Sequence, residues 1–226
     1  VQGFLRSGYI RDHGDRKTDI LGRPVPRDRS YFAWQHRQRA GESFTLDGEF
    51  NYWSDSEVLR DFRHKDFDRV QQPDSFLEAA YTKNNWSLSA FGRAQPNQYH
   101  RVQERLPELR FDLLPVVLPG GFAECASASA AVLQADAFGL DPEVRTQRLD
   151  AYYGLSRPLS PAPWFTFTPV AGARVTHYTD ARGGKNDYTR TLGEVGFDAR
   201  LLASGTFDYK NAVWEIDGLR HLVEPR

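Results

Sequence analysis

SFTLDGEFNYWSDSEVLRDF, residues 43–62, is the stretch whose reading decides the fold. Its first half alternates strictly. Phe44, Leu46, Gly48, Phe50 and Tyr52 point to one side of an extended chain, and Thr45, Asp47, Glu49 and Asn51 to the other. The alternation gives way at Trp53 and Ser54 to a charged run. This is a strand with one apolar face, and what that face touches, a protein core or lipid, sets the class of the molecule.

Working outward, the same period of two recurs. Leu77, Ala79 and Tyr81 oppose Glu78, Ala80 and Thr82, and Trp86, Leu88 and Ala90 oppose Ser87 and Ser89. Leu109, Phe111 and Leu113 oppose Glu108, Arg110 and Asp112, and Val195, Phe197, Ala199 and Leu201 oppose Glu194, Asp198 and Arg200. Strands are expected near 2–12, 29–39, 43–54, 75–83, 86–94, 107–114, 122–134, 144–156, 163–179 (two strands bent at Pro169), 188–203 and 206–216. Tight turns such as KNN (83–85) and ASG (203–205) make the pairs antiparallel hairpins. The best helical candidate, SEVLRDFRHKDFDRV (56–70), supports a turn or two.

Alternation occurs in soluble antiparallel sheets as well, so other features have to decide. Several of the expected strands reach the roughly 9–11 residues of a tilted membrane strand, against about 5–6 for a globular strand. Aromatics gather near strand ends: Tyr31, Phe32 and Trp34; Tyr52 and Trp53; Trp86; Tyr152 and Tyr153; Trp164 and Phe165. Such rings suit the lipid–water boundary. Long polar connections (11–28, 54–74, 94–105) alternate with short ones (39–42, 83–85), as in outer-membrane barrels, and the contrast fades at 114–121 and 156–163. The expected fold is therefore all-β, an antiparallel up-and-down transmembrane β-barrel, present as an open section of a larger one. On this reading Asp47, Glu49, Glu78, Arg110, Asp112, Asp198 and Arg200 line a wet lumen. Phe44, Leu46, Phe50, Tyr52, Trp53, Trp86 and Leu88 face lipid or form an aromatic girdle.

Composition fits this reading. The 226 residues are 40% apolar and 26% charged, with a net charge of −1. A mean hydropathy of −0.61 is no objection, because a polar lumen dilutes the apolar face. A near-neutral chain with scattered basic residues has no field for nucleic acid. The single cysteine, Cys125, makes no internal disulfide and reads as a small buried residue. No apolar run reaches the length of a membrane helix, no signal peptide is visible, and there is no methionine, so the chain is read as an internal piece of a longer protein.

A family resemblance rests on NYWSDSEVLRDF (51–62), DSFLEAAYTKNNWSLSAFGRAQPN (74–97), ERLPELRFDLLP (104–115), PLSPAPWFTFTPVAGARVTHYTD (158–180) and GLRHLVEPR (218–226), in that order. Together these stretches resemble the barrel of the LPS-assembly protein family LptD, the organic solvent tolerance proteins of Gram-negative outer membranes. The resemblance implies a middle section of the barrel, residues 1–226 forming one segment. The periplasmic jelly roll, the lateral-gate strands and the family's disulfide cysteines would lie elsewhere. It implies transport of lipopolysaccharide to the outer leaflet, its sugars crossing the lumen and its acyl chains passing a gate. The implied partners are lipopolysaccharide, the periplasmic bridge proteins of its transport, the lipoprotein plug LptE and outer-membrane lipid.

Enzymatic readings are weaker. His13 in RDHGDR and His64 in RHKDFD sit in what read as solvated loops. His36, His100, His177 and His221 show no metal-ligand spacing. Asp47 and Glu49 share a face, like paired glycosidase carboxylates, and are the best catalytic signal. LPGGF (118–122) and ARGGKND (181–187) read as turns, not phosphate loops. No enzyme activity, cofactor or metal is expected. Two alternatives remain at this point. A soluble carbohydrate-binding or carbohydrate-cleaving protein predicts two packed sheets with Phe44, Phe50 and Phe197 interdigitated. A small complete porin predicts pairing of the first and last strands. An open section leaves two bare strand edges, so the chain alone is not expected to form a functional unit.

Overall fold

The computed structural model describes residues 1–20, 22–97, 99, 102–136, 143–181 and 186–223. His100, the glycines of ARGGKND and the closing Glu-Pro-Arg of GLRHLVEPR lie outside them. The chain is all-β with two short helices. Its strands are β1 (Gln2–Arg11), β2 (Asp28–Ala40), β3 (Phe44–Trp53), β4 (Phe76–Lys83), β5 (Trp86–Arg93), β6 (Glu104–Val117), β7 (Ala123–Ala135), β8 (Val144–Ser156), β9 (Leu159–Ala162), β10 (Phe165–Thr179), β11 (Asp187–Leu201), β12 (Ala203–Asn211) and β13 (Ile216–Val223). Between β3 and β4 lie α1 (Val58–Phe62) and α2 (His64–Phe67).

One sheet runs in the order β1-β2-β3-β4-β5-β6-β7-β8-β10-β11, with β9 against β10, and β12 pairs with β13 as a separate hairpin. From β1 to β8 each strand thus lies beside its neighbours in sequence, a meander, and β8 then pairs past β9 with β10. Among the described residues β1 and β11 are the ends of the sheet order and do not pair, as a small complete porin would require. Eight strands run 10–15 residues.

Registers fix the faces of β1–β5. Phe32 lies opposite Tyr52, Trp34 opposite Phe50 and Leu5 opposite Trp34. Phe44 lies opposite Tyr81, and Tyr81 opposite Leu88. These side chains form one apolar face, most of it exposed (Leu5 62%, Phe50 40%, Leu77 51%, Leu88 49%), with Phe32 and Trp34 half-buried. The other face carries Arg37 opposite Asp47, Asp47 opposite Glu78 and Gln35 opposite Glu49.

Two compact units emerge. One holds residues 1–112, 128–150 and 176–190; the other holds 113–127, 151–175 and 191–226. The first contains the connections 12–27, 54–75 and 94–103 and the buried apolar cluster of Tyr31, Trp53, Val58 and Leu59. In the second, β6–β7 turns over five residues, where Leu118 donates its N–H to Phe122 O at 2.7 Å.

Several elements depart from expectation. Residues 163–179 hold one strand, not two bent at Pro169: the Pro169 carbonyl accepts the Arg157 N–H at 3.1 Å, and β9 pairs only with the start of β10. Residues 203–205 are strand, and the reversal falls at 212–215 instead. There Asn211 Oδ1 accepts the N–H groups of Val213 (3.0 Å) and Trp214 (3.2 Å), an Asx turn without Gly or Pro. Segment 56–70, by contrast, holds two short helices, the turn or two that its pattern supports.

Candidate functional site

The most constrained part of the first unit is built around Arg29, the second residue of β2. Its side chain is fully buried. Nε and Nη2 grip both oxygens of Asp55 at 3.0 and 2.7 Å. Nη1 donates to Asp12 at 2.9 Å and to Asp61 at 2.8 Å. A planar guanidinium can make this four-bond set, and an ammonium cannot. Arg29 therefore ties the β1–β2 connection (Asp12) to the β3–β4 connection (Asp55, Asp61). Arg16 adds bonds to Glu57 (3.2 Å) and Asp61 (3.1 Å).

The local reason for this closure is that β3 outruns β4. The register of β3 with β4 stops at Glu49, leaving the backbone of Asn51–Trp53 without a strand partner on that side. Buried backbone groups must be satisfied, and side chains do it. Ser75 Oγ accepts the Asn51 N–H at 3.0 Å, Asn97 Oδ1 accepts the Trp53 N–H at 2.8 Å, and Asn97 Nδ2 donates to Asn51 O at 2.9 Å. The β5–β6 connection is thereby locked to the other two. Arg23 adds a bond to the Tyr99 carbonyl at 2.9 Å. Burial, with Asp55 nearby, raises the Tyr99 phenol well above its ordinary value. The Gly14 N–H and then Arg29 hold the Asp12 carboxyl below its ordinary value.

Trp53 departs from its expected place. It is 3% exposed, shares the face of Asp47 and Glu49, and packs with Tyr31, Val58 and Leu59. The connection folding over the end of β3 covers it, so it is not a lipid-facing girdle residue. Tyr31, directly opposite, is covered likewise. His13 and His64 are exposed, while RDHGDR is tied down through Asp12 to Arg29 and RHKDFD is the turn of helix α2.

The candidate polar residues fall into local groups. Asp47 pairs with Arg37 across the β2–β3 ladder. Glu49 accepts Asn51 Nδ2 at 2.7 Å. Arg110 holds both oxygens of Asp112, at 2.7 and 2.8 Å. Glu78 and Arg110 line one cavity of 220 Å³ with Phe91, Arg105 and Glu108. Glu108, 6% exposed, is bridged by Arg105 (3.0 Å) and Arg148 (3.4 Å).

In the second unit Tyr152 donates to Glu194 at 2.5 Å. A Cβ at Gly154 would stand 2.6 Å from the Tyr152 hydroxyl, and one at Gly172 2.9 Å from it, so these two glycines make room for the ring. Asp198 and Arg200 follow Glu194 by four and six residues along β11, even spacings that put them on its side of the strand. Among the candidate apolar residues, Phe44 (38%), Phe50 (40%), Tyr52 (41%) and Leu88 (49%) are exposed, and Leu46 and Trp86 are half-buried on the same face. Phe197 is 69% exposed, its ring beside Phe167, so the interdigitated core a soluble sandwich needs is not formed by these residues.

No helix among the described residues is long and apolar enough to cross a membrane, which says nothing about strands. No group of three or more His, Cys, Asp or Glu among them could hold a metal.

Residues 27–226 match the family described as LptD, LPS transport system D. The chain belongs to the LptD family. LptD proteins are components of lipopolysaccharide transport associated with the outer membrane. A search of curated proteins finds no match. Sequence reasoning missed Arg29 and its three aspartates. The available signal was an arginine at the start of β2, in phase with Tyr31 and Ala33, between two acid-rich connections.

Proposed function

We propose that this LptD-family chain is a section of the wall of an outer-membrane β-barrel that carries lipopolysaccharide to the outer leaflet. Its apolar face meets lipid, and its charged face borders a wet lumen. Residues 1–226 form one segment of the barrel domain, with the jelly-roll domain and the gate strands belonging to the rest of the parent protein. Lipopolysaccharide, the periplasmic bridge proteins and the lipoprotein plug LptE are its partners in that role.

The observation that carries this reading is the two-faced register of β1–β5. Exposed Leu, Phe and Tyr side chains recur on one face across several strands, the contiguous apolar surface that marks a lipid or partner contact. Within this sheet β2, β3, β4 and β5 each have a strand on both sides, as a lipid-exposed wall demands. On the opposite face Arg37, Asp47, Glu49 and Glu78 offer donors and acceptors to a hydrated glycan.

The test uses the full-length parent in a lipopolysaccharide-producing cell, with a photo-crosslinking amino acid at position 78 or 88. Capture of lipopolysaccharide at 78 and of phospholipid at 88, near the short β4–β5 turn, is expected. Recovery of the parent without detergent, or capture of phospholipid at 78, overturns the proposal.

A further inference from the structure

A second cavity of 220 Å³ in the first unit lies on the charged face where β1–β3 meet the α1–α2 connection. Pockets for drug-sized ligands run to about 300–1,000 Å³, so this one suits a single small ring. Its polar rim has two cations, Arg6 and Arg69, and two anions, Glu49 and Asp66. The set is neutral in sum and favours neither an anion nor a cation. Arg63 holds Asp66 Oδ2 at 2.8 Å, and Arg6 reaches the other oxygen, Oδ1, at 3.4 Å, a long contact that leaves that oxygen and the Arg6 fork largely open to a ligand. Asn51 donates to Glu49 at 2.7 Å and orients that carboxylate.

The rest of the lining is apolar. Phe4, 43% exposed, has the Arg6 guanidinium over its ring at 4.9 Å, and Leu59 and Val70 come from the helical connection. An exposed ring beside planar forks of donors and acceptors has a matching ligand chemistry. A pyranose offers an apolar C–H face and a rim of hydroxyls, each both donor and acceptor. Carboxylates accept from neighbouring hydroxyls, and guanidiniums donate to them in pairs.

We infer that this cavity is a subsite for one uncharged sugar unit of a glycolipid, with Phe4 under the ring and Arg6, Glu49, Asp66 and Arg69 on its hydroxyls. The inference rests on the transport reading and adds to it a fixed stopping place for the glycan. The subsite is half strand and half connection: Phe4, Arg6 and Glu49 belong to the sheet, whereas Asp66 and Arg69 are brought by the segment that Arg29 anchors through Asp55 and Asp61.

The experiment places p-benzoyl-phenylalanine at position 4 of the full-length parent, with position 78 as the reference, in cells making either complete lipopolysaccharide or its lipid portion alone. Complete lipopolysaccharide is expected to be captured at both positions, and the lipid portion at 78 only. In a Glu49→Gln, Arg69→Ala background, capture at 4 falls by at least about tenfold, the size of one charge-assisted hydrogen bond, since two are weakened or lost, while capture at 78 holds. Capture at 78 without capture at 4 overturns the subsite and leaves the transport reading standing. Equal capture of the lipid portion at 4 also overturns it, because the apolar lining then takes acyl chain. Capture at neither position overturns both.

Discussion

Replacing Arg29 by methionine tests whether the three long connections are one locked body. The substitution keeps most of the apolar stem and removes a guanidinium with four hydrogen bonds to Asp12, Asp55 and Asp61. The aspartates do not suffer equally. Asp12 and Asp61 are 16% and 20% exposed and can rehydrate, but Asp55, at 7%, loses both arms of its fork while covered. Breaking a buried ion pair by deleting one partner costs about 3–5 kcal/mol. With two of the three acids able to reach water, the lower end applies, about 3 kcal/mol or roughly a hundredfold in the opening equilibrium. The loss is local, because the ladders of β4 and β5 do not depend on this cluster. Hydrogen exchange on the full-length protein in detergent reads it at Asp12 (N–H to Arg27 O, 2.7 Å), Ser54 (to Ser30 O, 2.9 Å) and Asp61 (to Glu57 O, 2.8 Å). These amides should speed up about a hundredfold while those of β4 and β5 hold. Arg29→Lys should fall between, since three donors on one point cannot reproduce a fork. Arg29→Met with Asp55→Asn should recover much of the loss by removing the stranded charge. Exchange at all three amides within about threefold of the parent, the range of an ordinary surface substitution, would refute the locked-body reasoning.

Two further outcomes follow from the same structure. The Asp12 carboxyl titrates below its ordinary value, so its contribution is complete above about pH 4 and is lost as pH falls through the lowered value. Pepsin cleavage within residues 12–27 should therefore stay low near pH 5 and rise below about pH 4, and Asp12→Asn should flatten that rise; a rise already present at about pH 5 contradicts it. Gly154→Ala puts a Cβ 2.6 Å from the Tyr152 hydroxyl and 3.0 Å from Cys125 Sγ. It should cost about 1–3 kcal/mol in the unfolding midpoint of the full-length protein. Adding Tyr152→Phe should restore part of that, and an unchanged midpoint for Gly154→Ala would show that the ring does not lie where the glycine makes room.

Much of the sheet was legible because its information is local. A two-residue period reads directly as two faces, so Phe44, Leu46, Phe50, Tyr52 and Leu88 could be grouped before any coordinate was known, and 144–156 appears as a strand with the same ends. The reversal at 212–215 was less legible, because an Asx turn on Asn211 replaces the usual Gly or Pro. The candidate polar residues were legible as a face and not as a set of contacts. Alternation says that Asp47 and Glu78 share a side; only register sets them opposite one another.

By itself, the sequence determined an all-β meander, two chemically distinct faces and long connections at one end, since period and turn length are properties of neighbouring residues. Tertiary structure alone decided what those connections do. Arg29 meets aspartates 17, 26 and 32 residues away, and Asn97 closes the unpaired end of β3 from 44 residues away. Such partners are chosen by which backbone groups a short β4 leaves bare and by which charges burial forces together. For the same reason Trp53, an exposed aromatic finish when read along the chain, lies at the centre of the one buried apolar cluster described.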